Sequence, residues 1–131
     1  MNFQGTLPAE IEAIATKVVD GVFRVHSAIG PGLLESIYET CLDHELRKQA
    51  LRVQKQVSVP IVYDTLRIES GLRLDLLVEE AVIVEIKAID RMSPVFEAQI
   101  LSYLRLAKKR LGLLINFNVP RIRDGIRRYA L

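Results

Sequence analysis

The chain has 131 residues, 50% hydrophobic and 26% charged, with a formal net charge of +2. That is an ordinary globular mix, read as one domain over residues 1–131 and long enough to bury roughly two-thirds of its unfolded surface. No run of about 18 apolar residues and no basic-then-apolar N-terminus is present, which argues against a membrane span or a signal peptide; the single Cys41 excludes an internal disulfide and fits a reducing cytoplasm.

Residues 1–7 carry no signal. From Pro8 the residues Ile11, Ile14, Val18, Val22, Val25 and Ile29 recur at helical spacing, predicting an amphipathic helix to about Ala28 that ends at Gly30. His26 near that end is expected to bond a helix-end partner rather than a metal. After the break at Gly30-Pro31-Gly32, a second helix is predicted from about Leu33 to Gln49, with Leu34, Ile37, Tyr38, Cys41, Leu42 and Leu46 inward. Glu35 borders that stripe through Tyr38, Glu39 and Leu42, so it could reach into a site over a sheet or stay half-exposed. Cys41, on the stripe itself, reads as a small buried hydrophobe.

Val53 to Tyr63 alternates, with Val57, Val59, Ile61 and Tyr63 on one side, and Pro60 favours an edge strand. Asp64-Thr65 turns the chain, Leu66 to Glu69 continues extended, and Gly71 is expected to mark a bulge. Leu72 to Ala88 (LRLDLLVEEAVIVEIKA) then folds back on itself around Glu79, Glu80 and Ala81. A symmetric three-residue loop pairs Val78 with Val82, Leu77 with Ile83, Asp75 with Glu85 and Arg73 with Lys87. That register gathers Leu74, Leu76, Val78, Val82, Val84 and Ile86 on one aliphatic face, and a slip of one residue would mix both faces.

The same register sets Asp75 opposite Glu85. Two carboxylates ~5 Å apart repel by about 3 kcal/mol at an effective dielectric of ~20. A divalent cation between them reverses the sign; a solvent-facing pair in a slightly different register is the competing reading.

Ser93-Pro94 caps a helix predicted to run to about Lys109, with Val95, Phe96, Ile100, Tyr103 and Ala107 inward. Gln99 falls inside that stripe, where an amide without partners costs roughly 1–3 kcal/mol, so a defined hydrogen bond, structural or functional, is expected. Leu111 to Phe117 reads as a buried strand, Asp124-Gly125 as a turn, and Ile126 to Leu131 as a final strand. From Arg105 onward eight Lys/Arg face one acid, Asp124, whereas the first 104 residues hold ten basic and fifteen acidic groups. Such a tail suits a polyanion contact and equally a solvated surface.

No phosphate-cradling glycine loop, zinc-ligand spacing or Gly-x-Ser-x-Gly nucleophile motif occurs. Acids do converge: Asp75 and Glu85, joined by Glu35 where it reaches over the sheet, with Lys87 on the strand face of Glu85. Carboxylate oxygens select hard cations such as Mg²⁺ or Mn²⁺, which support phosphodiester cleavage, and a neighbouring lysine can orient the water and stabilise the transition state.

The element order αβββαβ from the second helix onward, with D-x₉-E-x-K across a hairpin, resembles the PD-(D/E)XK nuclease superfamily. Gly32 to Tyr38 (GLLESIY) matches the GxxExxY pattern of one of its prokaryotic families, and the blocks RLDLLV, VEIKA, EAQILSYL and GLLINF are similar to it, from about Ile11 to the end. The resemblance implies an α/β (α+β), restriction-endonuclease-like αβββαβ core: a mixed central sheet flanked by helices, with an extra N-terminal helix. It makes Asp75 and Glu85 metal-binding acids, Lys87 the catalytic lysine, Glu35 the acid of the first core helix and Gln99 the helical glutamine after the hairpin. Two positions depart from the pattern: Leu74 stands where the superfamily's name has proline, and Phe96 where a histidine is expected.

The resulting expectation is a Mg²⁺- (or Mn²⁺-) dependent enzyme hydrolysing phosphodiester bonds in DNA, with RNA left open as a substrate because no residue here reads a 2′-hydroxyl. Lys108, Lys109, Arg121, Arg123, Arg127 and Arg128 would contact the nucleic-acid backbone. A homodimer or partner protein could supply specificity. The alternative is a non-catalytic nucleic-acid- or partner-binding module that keeps the nuclease fold.

Overall fold

The computed structural model describes residues 7–131. Helix α1 (Ala9–Ile29) buries Ala15, Val18, Val22 and Val25, the three-and-four spacing read from the sequence. Gly30 ends it at φ 68°, a conformation without penalty for glycine. His26 is buried, and its Nε2 lies 2.8 Å from the carbonyl oxygen of Val119, so its partner comes from the far end of the chain rather than from its own helix end.

Helix α2 (Glu35–Lys48) buries Tyr38, Leu42 and Leu46, with Cys41 half-buried. Leu34 and Ile37, expected inward, are 72% and 44% exposed. Leu34 is the extended residue ahead of the helix, so it does not share the helical face. Ile37 stands about 100° round the helix from the Tyr38–Leu42–Leu46 seam, and the seam alone meets the core. Tyr38 also fixes how the helix begins. Its hydroxyl donates to the Gly30 carbonyl at 2.6 Å and accepts from the Leu33 N–H at 3.1 Å, while its ring stacks on Phe117 at 4.4 Å.

Among the described residues the sheet holds five strands in the order β1-β2-β3-β4-β5: Val53–Tyr63, Leu66–Val78, Val82–Lys87, Leu111–Asn116 and Ile126–Ala130. Only β3 and β4 run parallel, and helix α3 (Pro94–Ala107) makes the crossover between them. This is the restriction-endonuclease-like α+β arrangement, a mixed sheet flanked by helices with an added N-terminal helix. β1 lies at an edge, as Pro60 requires, and the β1–β2 register shifts between Val59 and Ile61. Gly71 belongs to that bulge, since a Cβ there would collide with Ile61. Leu66 to Val78 is one strand rather than an extended stretch followed by a separate hairpin arm. A 3-10 turn, Ile122–Gly125, leads into β5.

The larger core lies between the sheet and the α1–α2 pair, where Leu76, Val78, Val82, Val84 and Ile86 meet Tyr38, Leu42 and Leu46. On the opposite face Leu72, Leu74, Leu77 and Ile83 pack with Leu104 of α3. Leu74 thus belongs to the α3 side and not, as simple alternation predicts, to the face of Leu76. The parity changes at Asp75, where β2 leaves β3 and follows β1 alone.

Ser93 caps α3, its hydroxyl accepting from the Val95 N–H at 3.3 Å. The helix buries Ile100 and Leu104, while Val95, expected inward, is 62% exposed on the first turn. It closes at Ala107 because Lys108 turns left-handed, and the Lys109 N–H bonds the Leu104 carbonyl at 2.9 Å. Gly112 lets the helix settle close to β4: a Cβ there would stand 2.9 Å from Ile100 Cδ1. Among the described residues no helix is long and apolar enough to cross a membrane.

Candidate metal and catalytic site

The β2–β3 ladder pairs Val78 with Val82, Leu77 with Ile83 and Leu76 with Val84, the register inferred from the loop. It then stops. Asp75 and Glu85, next in line, do not exchange backbone bonds; each carboxylate takes an N–H of the opposite strand. The Asp75 N–H donates to Glu85 Oε2 at 2.9 Å, and the Ile86 N–H donates to Asp75 Oδ2 at 2.8 Å. Two side chains have replaced a rung of the sheet, which holds both acids between the diverging strands.

Glu85 is 4% exposed. Burial, then the Asp75 charge, push its carboxyl up to about 8, against the opposing influences of the Asp75 N–H and Lys87. A carboxyl so placed ionises near neutrality only with help from a positive charge.

Lys87 follows two residues on, half-buried, with its Nζ 4.4 Å from the centroid of the Phe96 ring. Its carbonyl accepts from the Phe117 N–H at 2.9 Å. The loop behind it is clamped by Asn116, 3% exposed at the end of β4. The Asn116 Oδ1 accepts from the Ile89 and Asn118 N–H groups, both at 3.1 Å, and Nδ2 donates to the Ile89 carbonyl at 3.0 Å. Gly125 lies against the Asn116 carbonyl, with no room for a Cβ.

Gln99 does have the partner its position demanded: Nε2 bonds the Tyr103 hydroxyl at 2.9 Å. Tyr103 in turn feels the acids. Burial first, then the charges of Glu85 and Asp75, raise its hydroxyl above the ordinary phenol value. Gln99 and Tyr103 therefore face the same carboxylate pair from α3.

Glu35 begins α2, exposed, beside a shallow surface depression it shares with Ala88. One turn further, Glu39 is the α2 acid whose charge reaches Asp75 and Glu85. Burial and the Asp75 charge raise its carboxyl, while a 2.7 Å hydrogen bond from Gln56 Nε2 opposes them. Gln56 stands opposite Asp75 in the gap between the Lys55–Leu76 and Val57–Leu74 pairs, and its φ of 53° is a strained value for a non-glycine strand residue. Sequence reading missed this role for Glu39. The available signal was its place one helical turn after Glu35 and next to the buried Tyr38. Nothing in the residue types announced Gln56 or Asn116, because hydrogen bonds across 17 and 27 residues are set by tertiary contact alone.

Among the described residues no group of three or more His, Cys, Asp or Glu forms a ready-made cage for a metal ion. The fold brings together the Asp75–Glu85 pair; Glu39 on α2 is coupled to it by charge, whereas Glu35, exposed a turn earlier, is not brought to the pair. Each of the paired acids spends one oxygen on the opposite strand and keeps a second. Two carboxylates suit a hard cation that retains much of its water shell.

A sequence model of the PD-(D/E)XK nuclease superfamily matches residues 12–129. The chain belongs to that superfamily. No curated protein and no solved structure matches it. Within this nuclease-superfamily fold the Asp75–Glu85–Lys87 set occupies the splayed end of the central hairpin, and members of the superfamily typically use divalent metals.

The basic side chains of this superfamily member are not equivalent. Glu85 pairs with Leu114, and Leu114 with Arg127, so Arg127 lies in the row of Glu85, two strand spacings or about 10 Å across the sheet. Arg128, one residue on, turns to the other face, where its two terminal nitrogens donate to Glu12 at 2.7 and 2.6 Å. Arg121 lies 3.9 Å from Asp124, and Arg123 is exposed in the 3-10 turn. Lys108 and Lys109 follow the C-terminal end of α3, the end opposite Phe96. The structure thus brings Arg127 to the carboxylate row and commits Arg128 to α1.

Proposed function

We propose that this chain is a metal-dependent nuclease that hydrolyses phosphodiester bonds in DNA, and that it belongs to the GxxExxY branch of its superfamily. The observation that carries the reading is the pair of opposed acids, Asp75 and Glu85, built into the hairpin in place of a ladder rung with Lys87 alongside. A structural role alone would be met at lower cost by two apolar residues, since like charges so placed oppose folding.

Asp75 and Glu85 would hold Mg²⁺ or Mn²⁺, with Glu39 of α2 adding its charge and Glu35, read from the sequence as a further acid, lying outside the pair. Such an ion would supply Lewis-acid stabilisation of the phosphate charge and a lowered pKa for its bound water. The chain's own groups do the rest. The Lys87 ammonium donates a hydrogen bond to the attacking water and faces the charge that gathers on the phosphoryl oxygens. Gln99 and Tyr103, linked by their hydrogen bond, line the approach from α3 and orient the phosphate. Arg127 meets a neighbouring backbone phosphate, with Lys108, Lys109, Arg121 and Arg123 giving further sequence-independent attraction that weakens with salt.

The test is cleavage of single- and double-stranded DNA, and of RNA, with Mg²⁺, Mn²⁺ or EDTA. Wild type should cut DNA with a divalent ion and stop in EDTA, and Lys87→Ala should not cut. Identical behaviour of the two proteins in every condition refutes catalysis. Mn²⁺ calorimetry separates the binding-module alternative, which predicts no binding that depends on Asp75 and Glu85.

A further inference from the structure

Lys87 carries its charge on a long flexible stem, two residues from Glu85 on the same strand face, among acids that would welcome it. Its charge reaches the buried Glu85, which lies beside the half-buried Asp75. An unconstrained ammonium there would settle on the carboxylates and act as an internal counter-ion. It is found instead over the face of Phe96, with Nζ 4.4 Å from the ring centroid.

Both ends of this contact are fixed. The root of the lysine is held through its carbonyl by the Phe117 N–H, 2.9 Å away. The ring stands on the first turn of α3, where Pro94 sets the backbone and the Phe96 N–H bonds the Ser93 carbonyl at 3.0 Å. An aromatic face attracts an ammonium through its quadrupole, and the attraction grows as water is excluded.

We propose that Phe96 is a positioning residue that parks the Lys87 ammonium on its ring and so leaves Asp75 and Glu85 open to a divalent cation. This rests on the reading of those acids as cation ligands. The ring gives the lysine an alternative to the carboxylates without adding a second anion, which would itself compete for the metal. Aspartate or glutamate at position 96 could hold Lys87 as firmly but would also bind the ion. When the ring is removed, Lys87 moves onto the carboxylates, and an incoming cation must displace it.

The experiment is Mn²⁺ calorimetry on metal-free protein, comparing wild type, Phe96→Leu, Phe96→Tyr, Lys87→Met and the Phe96→Leu/Lys87→Met double variant. Phe96→Leu should weaken Mn²⁺ binding by about twofold to thirtyfold, the range that cation–π attraction spans. Phe96→Tyr, which keeps an aromatic face, should restore it. In the Lys87→Met background, loss of the ring should change nothing, because there is no ammonium to release. Equal weakening in both backgrounds, or none in either, overturns the proposal.

A second readout is independent of metal. The Lys87 ε-methylene protons of wild-type protein should show an upfield ring-current shift by NMR, kept in Phe96→Tyr and lost in Phe96→Leu. Unshifted resonances in a wild type that binds Mn²⁺ overturn the parking contact alone. A wild type with shifted resonances but no Mn²⁺ binding overturns the metal reading, and the proposal with it.

Discussion

Replacing Glu85 by glutamine tests the electrostatic core of the site without any assumption about substrate. Glutamine keeps the shape and leaves a carbonyl oxygen to accept from the Asp75 N–H, now 2.9 Å from Glu85 Oε2. It removes the charge. The Glu85 carboxyl, ordinarily near 4.5, is raised to about 8 in the fold by burial and by Asp75. At about 1.4 kcal/mol per tenfold change in proton affinity, ionising it in the fold rather than in the unfolded chain costs about 5 kcal/mol at the limit.

The sign follows from proton binding. Between pH 4.5 and 8 the folded state holds a proton that the unfolded state has released, so wild-type stability falls as pH rises through that window and levels off above it. Urea denaturation in EDTA at pH 5 and pH 9 should therefore show Glu85→Gln close to wild type at the lower pH and more stable by a few kcal/mol at the higher. Mn²⁺ should recover the lost stability in wild type and not in the variant. If the stability difference between the two proteins is the same at both pH values, Glu85 does not ionise in a buried, like-charged setting, and the argument for a cation there fails.

Lys87→Met should slow single-turnover cleavage at least about a hundredfold while Mn²⁺ still binds by calorimetry; an unchanged cleavage rate would remove the lysine from the mechanism. Arg127→Ala should weaken DNA binding and lower the slope of log affinity against log salt by about one, whereas Arg128→Ala, already committed to Glu12, should leave that slope unchanged; the reverse result would misplace the DNA path. Asn116→Ala strips three hydrogen bonds from the loop behind Lys87 and should cost about 2–4 kcal/mol in chemical denaturation, with faster hydrogen exchange at Ile89. Gly125→Ala should destabilise through the same asparagine, its Cβ meeting the Asn116 carbonyl; a neutral effect would show that the turn can relax.

Much of this protein could be read from its residues because the decisive signals are local. The spacing of Val18, Val22 and Val25 makes a helix wherever a hydrophobic surface is offered, and Ser93-Pro94 starts one by its own backbone chemistry. The short turn at Glu79–Ala81 sets the strand register, and the register puts Asp75 level with Glu85. Opposed acids, a lysine two residues on and a misplaced glutamine were therefore visible in one dimension. Tertiary structure decided what those residues are to one another. Only the folded chain ends the ladder at Leu76, turns the two carboxylates into backbone acceptors and carries Leu74 to the other face. The choice of Glu39 as the α2 acid coupled to Asp75, the strained Gln56 behind it and the Asn116 clamp depend on where distant segments meet. Arg127 and Arg128 look alike in the sequence, but strand alternation sends one to the row of Glu85 and the other to Glu12 on α1. Periodicity fixes faces within an element, and the packing of elements fixes which charges share a site.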